Sequence, residues 1–176
     1  ILFNLDTKNE IVDKQIIPLT KKGIKIISMG NIMNYEDAAL WRGPMLSGAI
    51  KKLVHDTQWG ELDYLLIDMP PGTGDVYLTI FNELSIDEFI LITTPNILAI
   101  SDLQKTITML KKLNVNIFGY ISNNIFNIEV QEDNLLISNK IDCLGTYEFD
   151  INLHDFNLDY NSEITEEISK RILFDV

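Results

Sequence analysis

The chain has 176 residues, of which 46% are apolar and 23% charged, and its formal net charge is −12. This length and composition predict one globular domain with a sizeable core. The negative charge repels phosphate backbones and anionic bilayers, so we expect neither a nucleic-acid partner nor a membrane partner. No apolar run approaches the ~20 residues that a membrane span needs, and the one cysteine, Cys143, fits a reducing compartment.

In the first half of the chain, short apolar runs alternate with helical patterns. Residues 25–29 predict a strand. Apolar residues at helical spacing over 46–53 predict an amphipathic helix that begins near Pro44. The continuous apolar run at 64–68 predicts a strand buried on both faces of a parallel sheet, and a short helix from about Val76 follows it.

The second half continues the alternation. Residues 89–93 and 115–121 predict two further strands. Between them, Ser101 forms a capping box with the glutamine three residues later, which predicts the start of a helix there. Isoleucines at four-residue spacing predict a last helix over 163–174, whereas residues 124–139 indicate no clear element.

This order of strands and helices predicts an α/β fold with a doubly wound, mostly parallel sheet and helices on both faces. No linker divides the chain, so we expect a single domain over residues 1–176. Ligands of such sheets bind at the carboxyl ends of the strands. Asp68, Thr94 and Asn123 would lie there.

The strongest candidate site begins where the predicted strand at 64–68 ends. A carboxylate in the position of Asp68 is suited to hold the Mg²⁺ of a nucleotide, often through water. Gly72 and Gly74 allow backbone N–H groups to turn towards a terminal phosphate and to move when it leaves. Asp75 is placed to cap the next helix. The alternative is an ordinary strand-to-helix turn, and the dinucleotide fingerprint is excluded because Tyr77 stands where its third glycine belongs.

Residues 59–75 resemble the signature of the Mrp/ApbC family, which belongs to the MinD/ParA-like group of P-loop ATPases. Other family motifs follow at matching spacing, so that the resemblance covers residues 23–123 and, faintly, 144–153. These motifs are Ser28-Met29-Gly30, Trp41-Arg42-Gly43-Pro44-Met45, Leu78-Thr79, Thr93-Thr94-Pro95 with Ala99 and Asp102, and Gly119-Tyr120-Ile121-Ser122-Asn123.

The resemblance implies a role for each candidate residue in binding and hydrolysing ATP. Asp68 corresponds to the Walker-B carboxylate that holds Mg²⁺, and Gly72 to the loop that senses the γ-phosphate, so these two are the expected catalytic residues. Thr73 and Gly74 belong to the same nucleotide-binding loop. Asn123 matches a position near the adenine ring, where an amide can donate to and accept from a base.

The resemblance also implies a function in iron–sulfur cluster carriage or assembly. Members of the family act as homodimers that bridge a [4Fe–4S] cluster and serve iron–sulfur apoproteins. We therefore expect an ATPase of the cytoplasm or of an organellar matrix. A degenerate dimerisation module without nucleotide or cluster is the alternative, and a MinD/ParA-type positioning ATPase is a third interpretation, which the Trp41–Pro44 and Pro70–Asp75 motifs disfavour.

Several features depart from the family pattern. No glycine of the chain is followed by lysine, so the family's phosphate-binding loop would lie before Ile1, and we expect this chain alone to bind ATP weakly or not at all. Because the first residue is not methionine, we expect a processed product or a segment of a longer one. The usual cysteine pair is absent, and Cys143 is expected to be a buried structural thiol.

Predictions also concern two further departures from the family pattern and three basic residues. Ser122 stands where relatives carry glutamate, and Glu148 where they tend to carry proline. Arg42 is expected either to contact a partner or to pack on the preceding tryptophan. His55 and His154 have no partners at metal-ligand spacing and are expected at the surface.

Overall fold

The structure is a computed structural model of the 176-residue chain. It describes residues 8–32, 43–70, 74–124, 134–148 and 163–174. The chain divides into two compact units, unit 1 (Ile1–Ser85) and unit 2 (Ile86–Val176).

Unit 1 opens with two antiparallel hairpins. Their strands are β1 (Ile11–Val12), β2 (Gln15–Ile16), β3 (Leu19–Lys21) and β4 (Ile24–Ile26). Each turn has two residues with positive φ, 49° and 69° at Asp13 and Lys14, and 51° and 79° at Lys22 and Gly23. This is the type I′ combination, whose twist matches that of the strands it joins.

The predicted strand at 25–29 is therefore only partly right. It overlaps β4 only at residues 25 and 26. The observed strand ends at Ile26 and pairs antiparallel with β3, because the tight turn places Lys21 opposite Ile24. A short helix, α1 (Met29–Ile32), begins where the prediction still had a strand.

Two helices that pack against each other form the rest of unit 1. They are α2 (Gly43–His55) and α3 (Asp75–Glu83), and they agree with the helices predicted near Pro44 and Val76. Ala49 and Ile50 of α2 and Ile80 of α3 are buried, so the apolar stripe of each helix is the face removed from water.

The predicted strand at 64–68 is wrong for the described part of the chain. These residues have irregular backbone and pair with no described strand. Leu66 is 85% exposed, and Tyr64 and Leu65 are exposed as well. An apolar run becomes a strand only when a neighbour satisfies its N–H and C=O groups, and the described residues supply no neighbour.

Unit 2 contains a parallel sheet of three strands in the order β5 (Phe89–Thr93), β6 (Ile117–Asn124) and β7 (Cys143–Glu148). The predicted strands at 89–93 and 115–121 are confirmed, although β6 runs on to Asn124. Parallel strands need crossover connections, which helices supply. The predicted α/β class with a parallel sheet is thus confirmed.

The helices of unit 2 are α4 (Ile97–Lys112), α5 (Asn134–Ser138) and α6 (Glu163–Phe174). The last agrees with the helix predicted over 163–174. Helix α4 packs against β5 and α6 against β7. The buried apolar residues of unit 2 are Leu91, Leu103, Ile107, Leu110, Leu136, Ile141 and Leu144.

The N-cap of helix α4 lies five residues before the predicted cap at Ser101. The Asn96 side chain accepts hydrogen bonds from the backbone N–H groups of Leu98 (3.0 Å) and Ala99 (2.9 Å), so Asn96 is the N-cap. Ser101 lies inside the helix, and the predicted capping box there is wrong. The asparagine directly after Pro95 reaches the first free N–H groups one turn earlier.

Three contacts fix the position of β7. A Cβ on Gly119 of β6 would lie 2.7 Å from the Leu144 side chain and 2.8 Å from the Asp142 carbonyl oxygen, so the approach to β7 requires glycine. On α6, Arg171 Nη1 donates to the Cys143 carbonyl oxygen at 3.1 Å, and the hydroxyls of Tyr147 and Thr165 lie 3.0 Å apart.

Candidate functional site

Asp68 lies in the irregular segment before α3 and is exposed. Within the described part of the chain its carboxylate has no hydrogen-bond or ion-pair partner. Both oxygens are therefore free to accept from a ligand or from the water of a hydrated cation.

The loop after Asp68 is described only at its two ends. Pro70 closes the first part, and Gly74, in an extended conformation, is the N-cap of α3. Gly72 and Thr73 lie outside the described residues. Asp75 is the first residue of α3 and not its cap, because no side-chain hydrogen bond caps this helix. Its carboxylate still lies in the first turn, where the helix dipole stabilises a negative charge.

Tyr77 joins the two ends of this loop. Its hydroxyl donates to the carbonyl oxygen of Pro70 at 3.1 Å, and its ring centroid lies 6.4 Å from that of Phe81. The residue is buried, and burial raises the pKa of its phenol. Sequence reasoning missed this residue, although Tyr77 and Ile80 have the i, i+3 spacing of one buried helix face.

A polar seam holds α2 and α3 together along one side. The hydroxyls of Ser47 and Thr79 lie 2.8 Å apart. The Glu83 carboxylate lies 2.6 Å from Lys51 Nζ and 2.9 Å from His55 Nε2. The hydrogen bond from Lys51, followed by that from His55, holds the pKa of the Glu83 carboxyl below its ordinary value. His55 is exposed as predicted, although it has a hydrogen-bond partner in Glu83 that its sequence context did not reveal.

In unit 2 the predicted residues lie at the carboxyl end of the sheet. Thr93 of β5 is beside Ser122 of β6, so Thr94 and Asn123 follow at the same edge. Asn123 is half-buried and lies beside Tyr147 of β7. This edge is where parallel α/β sheets bind ligands.

The backbone at this edge is held by the cap of α4. Asn96 Nδ2 donates to Thr94 Oγ1 at 3.0 Å, while its side-chain oxygen caps the helix. Thr94 is thereby fixed next to the helix N-terminus, where N–H groups and the dipole favour negative charge. Asp68 and Gly74 belong to unit 1, and Asn123 to unit 2.

Cys143 is exposed, so the prediction of a buried structural thiol is wrong. It is the first residue of β7, where the side chain points away from the sheet's core. Trp41, Arg42 and His154 lie outside the described residues, and their predictions stay predictions.

The donor set fits Mg²⁺ held through one carboxylate. Among the described residues no three His, Cys, Asp or Glu side chains come together as a metal cage. Mg²⁺ does not need such a cage, since it keeps several waters and binds through one or two carboxylates and the phosphates of its nucleotide. The unpartnered carboxylate of Asp68 matches that chemistry.

Two open depressions of about 410 and 400 Å³ lie on unit 2, and neither is lined by Thr94 or Asn123. None of the helices in the described ranges combines the length and hydropathy needed to cross a bilayer.

Solved structures with the same architecture define the class. A nucleotide-binding protein from Archaeoglobus fulgidus, solved in complex with ADP, superposes with a TM-score of 0.58 at 25% identity, over 95% of this chain and 66% of that one. The cell division ATPase MinD from Pyrococcus furiosus gives 0.58 at 18% identity, over 82% of this chain and 63% of its own. The fold is that of MinD/ParA-type P-loop NTPases.

The sequence narrows this class to a family. The ParA profile described as NUBPL iron-transfer P-loop NTPase matches residues 1–141. The chain belongs to this family, which confirms the Mrp/ApbC resemblance. An iron–sulfur cluster carrier protein from Rickettsia felis is 40% identical over 128 residues, 73% of this chain and 40% of that protein. The chain spans between 34% and 41% of the length of the first curated relatives it matches.

Proposed function

We propose that the gene product containing this chain is an ATP-dependent carrier or assembly factor for iron–sulfur clusters. The observation that carries the proposal is the exposed carboxylate of Asp68, which has no partner among the described residues. Asp68 lies two residues before Pro70, where the Pro-Pro-Gly-Thr-Gly sequence begins, in a chain of this family. In this proposal the nucleotide is ATP, and the protein works in the cytoplasm or in an organellar matrix.

Asp68 would hold the metal of the bound nucleotide through water. Mg²⁺ neutralises the charge that develops on the phosphates during phosphoryl transfer. The N–H groups of Gly72, Thr73 and Gly74 would face the terminal phosphate, so that its loss changes the conformation of the loop. Asn123 would pair with the adenine edge through its amide. The lysine-bearing phosphate loop would come from outside these residues.

The iron–sulfur cluster is cargo in this proposal. A [4Fe–4S] cluster takes four thiolates, whereas a homodimer of this chain offers two, one Cys143 from each copy. Because Cys143 is exposed and stands alone in the chain, at least two ligands must come from the apoprotein client or from residues outside this chain.

The first experiment compares Mg-ATP binding and hydrolysis by the complete gene product and by its Asp68→Asn variant. The substitution keeps the size of the side chain and removes the charge that attracts the metal, so we expect kcat to fall by about a hundredfold, the cost typical of losing one preorganised charge-stabilising group.

Asp63→Asn is the matched control, since Asp63 is an exposed carboxylate five residues earlier. It should retain wild-type hydrolysis. Equal loss in both variants, or full activity in Asp68→Asn, would contradict the proposed role of Asp68.

A degenerate dimerisation module is the second candidate. It is favoured by the single cysteine among the 176 residues, because cluster carriage by this family uses a cysteine pair from each subunit. The same binding experiment separates the two functions: a complete gene product that forms dimers and binds no Mg-ATP is the module, whereas hydrolysis that depends on Asp68 identifies the ATPase.

A further inference from the structure

The Tyr77 side chain reaches from α3 back to the backbone just after Asp68. It is only 6% exposed, and its hydroxyl donates to the Pro70 carbonyl oxygen at 3.1 Å. Pro70 is two residues beyond Asp68, so the anchored carbonyl lies close in the chain to the candidate metal carboxylate. The backbone N–H of Tyr77 also donates to Gly74 O at 3.1 Å. One residue therefore contacts both described ends of the loop.

Helix α3 is itself held in place. The Ser47–Thr79 hydroxyl contact at 2.8 Å and the Lys51–Glu83 ion pair at 2.6 Å join it to α2. The hydrogen bond from Tyr77 of α3 to Pro70 thus ties the irregular segment before α3 to a packed pair of helices. When the backbone next to a metal-binding side chain is already restricted, less conformational entropy is lost on binding.

Packing alone does not account for the hydroxyl. A phenylalanine would fill the same buried space and would need no polar partner, whereas a buried phenol must find an acceptor. The acceptor here is the carbonyl next to the candidate loop. Asp68 has no described side-chain partner of its own, so the anchor two residues further along the chain can limit its movement through the backbone.

We propose that Tyr77 is a positioning residue, which through its hydrogen bond to Pro70 holds the Asp68 carboxylate where the metal of a bound nucleotide needs it. The inference rests on the proposed function and adds a residue to that same site.

The test is the binding of Mn²⁺ to the complete gene product in the presence of ADP, measured by electron paramagnetic resonance, for the wild type and Tyr77→Phe. A net hydrogen bond corresponds to about a threefold to tenfold change in an equilibrium constant. We expect Tyr77→Phe to raise the Mn²⁺ dissociation constant by about that factor. Tyr64→Phe, which removes the same hydroxyl from an exposed tyrosine four residues before Asp68, should leave it unchanged.

Thermal unfolding of the same three proteins separates positioning from stability. A Tyr77→Phe variant that loses thermal stability but keeps wild-type Mn²⁺ affinity overturns the positioning role. Equal weakening by Tyr64→Phe also overturns it. A wild-type protein that binds no Mn²⁺ with ADP overturns the proposed function, and this inference with it.

Discussion

Gly119 allows β6 to approach the start of β7 more closely than any residue with a Cβ could. The added methyl of Gly119→Ala would lie 2.7 Å from Leu144 and 2.8 Å from the carbonyl oxygen of Asp142. The leucine can rotate, but the carbonyl belongs to the backbone that accepts from Tyr120 N. We expect a loss of about 1–3 kcal/mol in the free energy of unfolding, the usual cost of overpacking, measured by urea denaturation.

Gly48→Ala is the control for that measurement. Gly48 lies inside α2, and a Cβ there has no neighbour within 4 Å. The same substitution should stabilise the protein by about 0.5–1 kcal/mol, because alanine is the better helix former. A Gly119→Ala variant as stable as the wild type would show that the strands can move apart.

Asp68 and Asn123 could be predicted as candidate ligand-binding residues from their residue types, since the binding chemistry of a carboxylate or an amide is known from the sequence alone. Tyr77 could not be recognised in the same way. Its role depends on one distance, 3.1 Å to a backbone carbonyl, and a carbonyl carries no sequence signal. The prediction for Cys143 was wrong because residue type does not fix burial. An isolated thiol is usually buried, but Cys143 is the first residue of a strand and is exposed.

At the scale of elements, α4 offers a direct comparison of two caps. Asn96 accepts from two N–H groups of the first turn, whereas Ser101 is exposed within the helix. Asn96→Ala should lower the free energy of unfolding by about 1 kcal/mol, and Ser101→Ala should leave it unchanged or raise it slightly. Chemical denaturation of both variants checks this, and the reverse order would restore the predicted start of the helix at Ser101.

The seam between α2 and α3 should give a pH-dependent stability. Lys51 and His55 lower the Glu83 pKa in the folded protein from its ordinary 4.5. The contribution of this carboxylate is therefore fully present above 4.5 and is lost as the pH falls through the lower folded-state pKa. We expect Glu83→Gln to lower the melting temperature at neutral pH, with a difference from wild type that disappears well below pH 4.5.

Glu61→Gln is the control for this pH series, because its exposed carboxylate contacts no cation among the described residues. Its melting curve should follow that of the wild type at every pH. A Glu83→Gln deficit that persists in acid would mean that packing of the side chain, rather than its charge, joins the helices.

Helices were the more predictable elements of this chain. The apolar stripes of α2, α3 and α6 are local patterns, and each helix satisfies its own backbone. Strands depend on distant partners, so β5 and β6 were predicted, while 25–29 formed a local hairpin. The type I′ turn at Lys22-Gly23 was signalled only by its glycine.

For the whole molecule, the α/β class followed from the order of its elements, and the family from its motifs. What the sequence did not predict is the irregular backbone at 64–68, where a buried strand was expected. Burial of a central strand is a property of the complete sheet, and the chain spans between 34% and 41% of the length of its first curated relatives. Of the net charge of −12, unit 1 carries −3 (11 acidic and 8 basic residues) and unit 2 carries −9 (15 acidic and 6 basic residues). This excess favours solubility over contact with polyanions.

The contact of Arg171 with β7 has a consequence for self-association. Asp142 O points towards β6, where it accepts from Tyr120 N, so the next carbonyl, that of Cys143, points to the other side of β7, on which no described strand lies. An open strand edge is a template for another chain to add to. Among the described strands β7 lies at the edge of the sheet, and the guanidinium already occupies this carbonyl. Loss of α6 would therefore free one acceptor to which a second chain could pair.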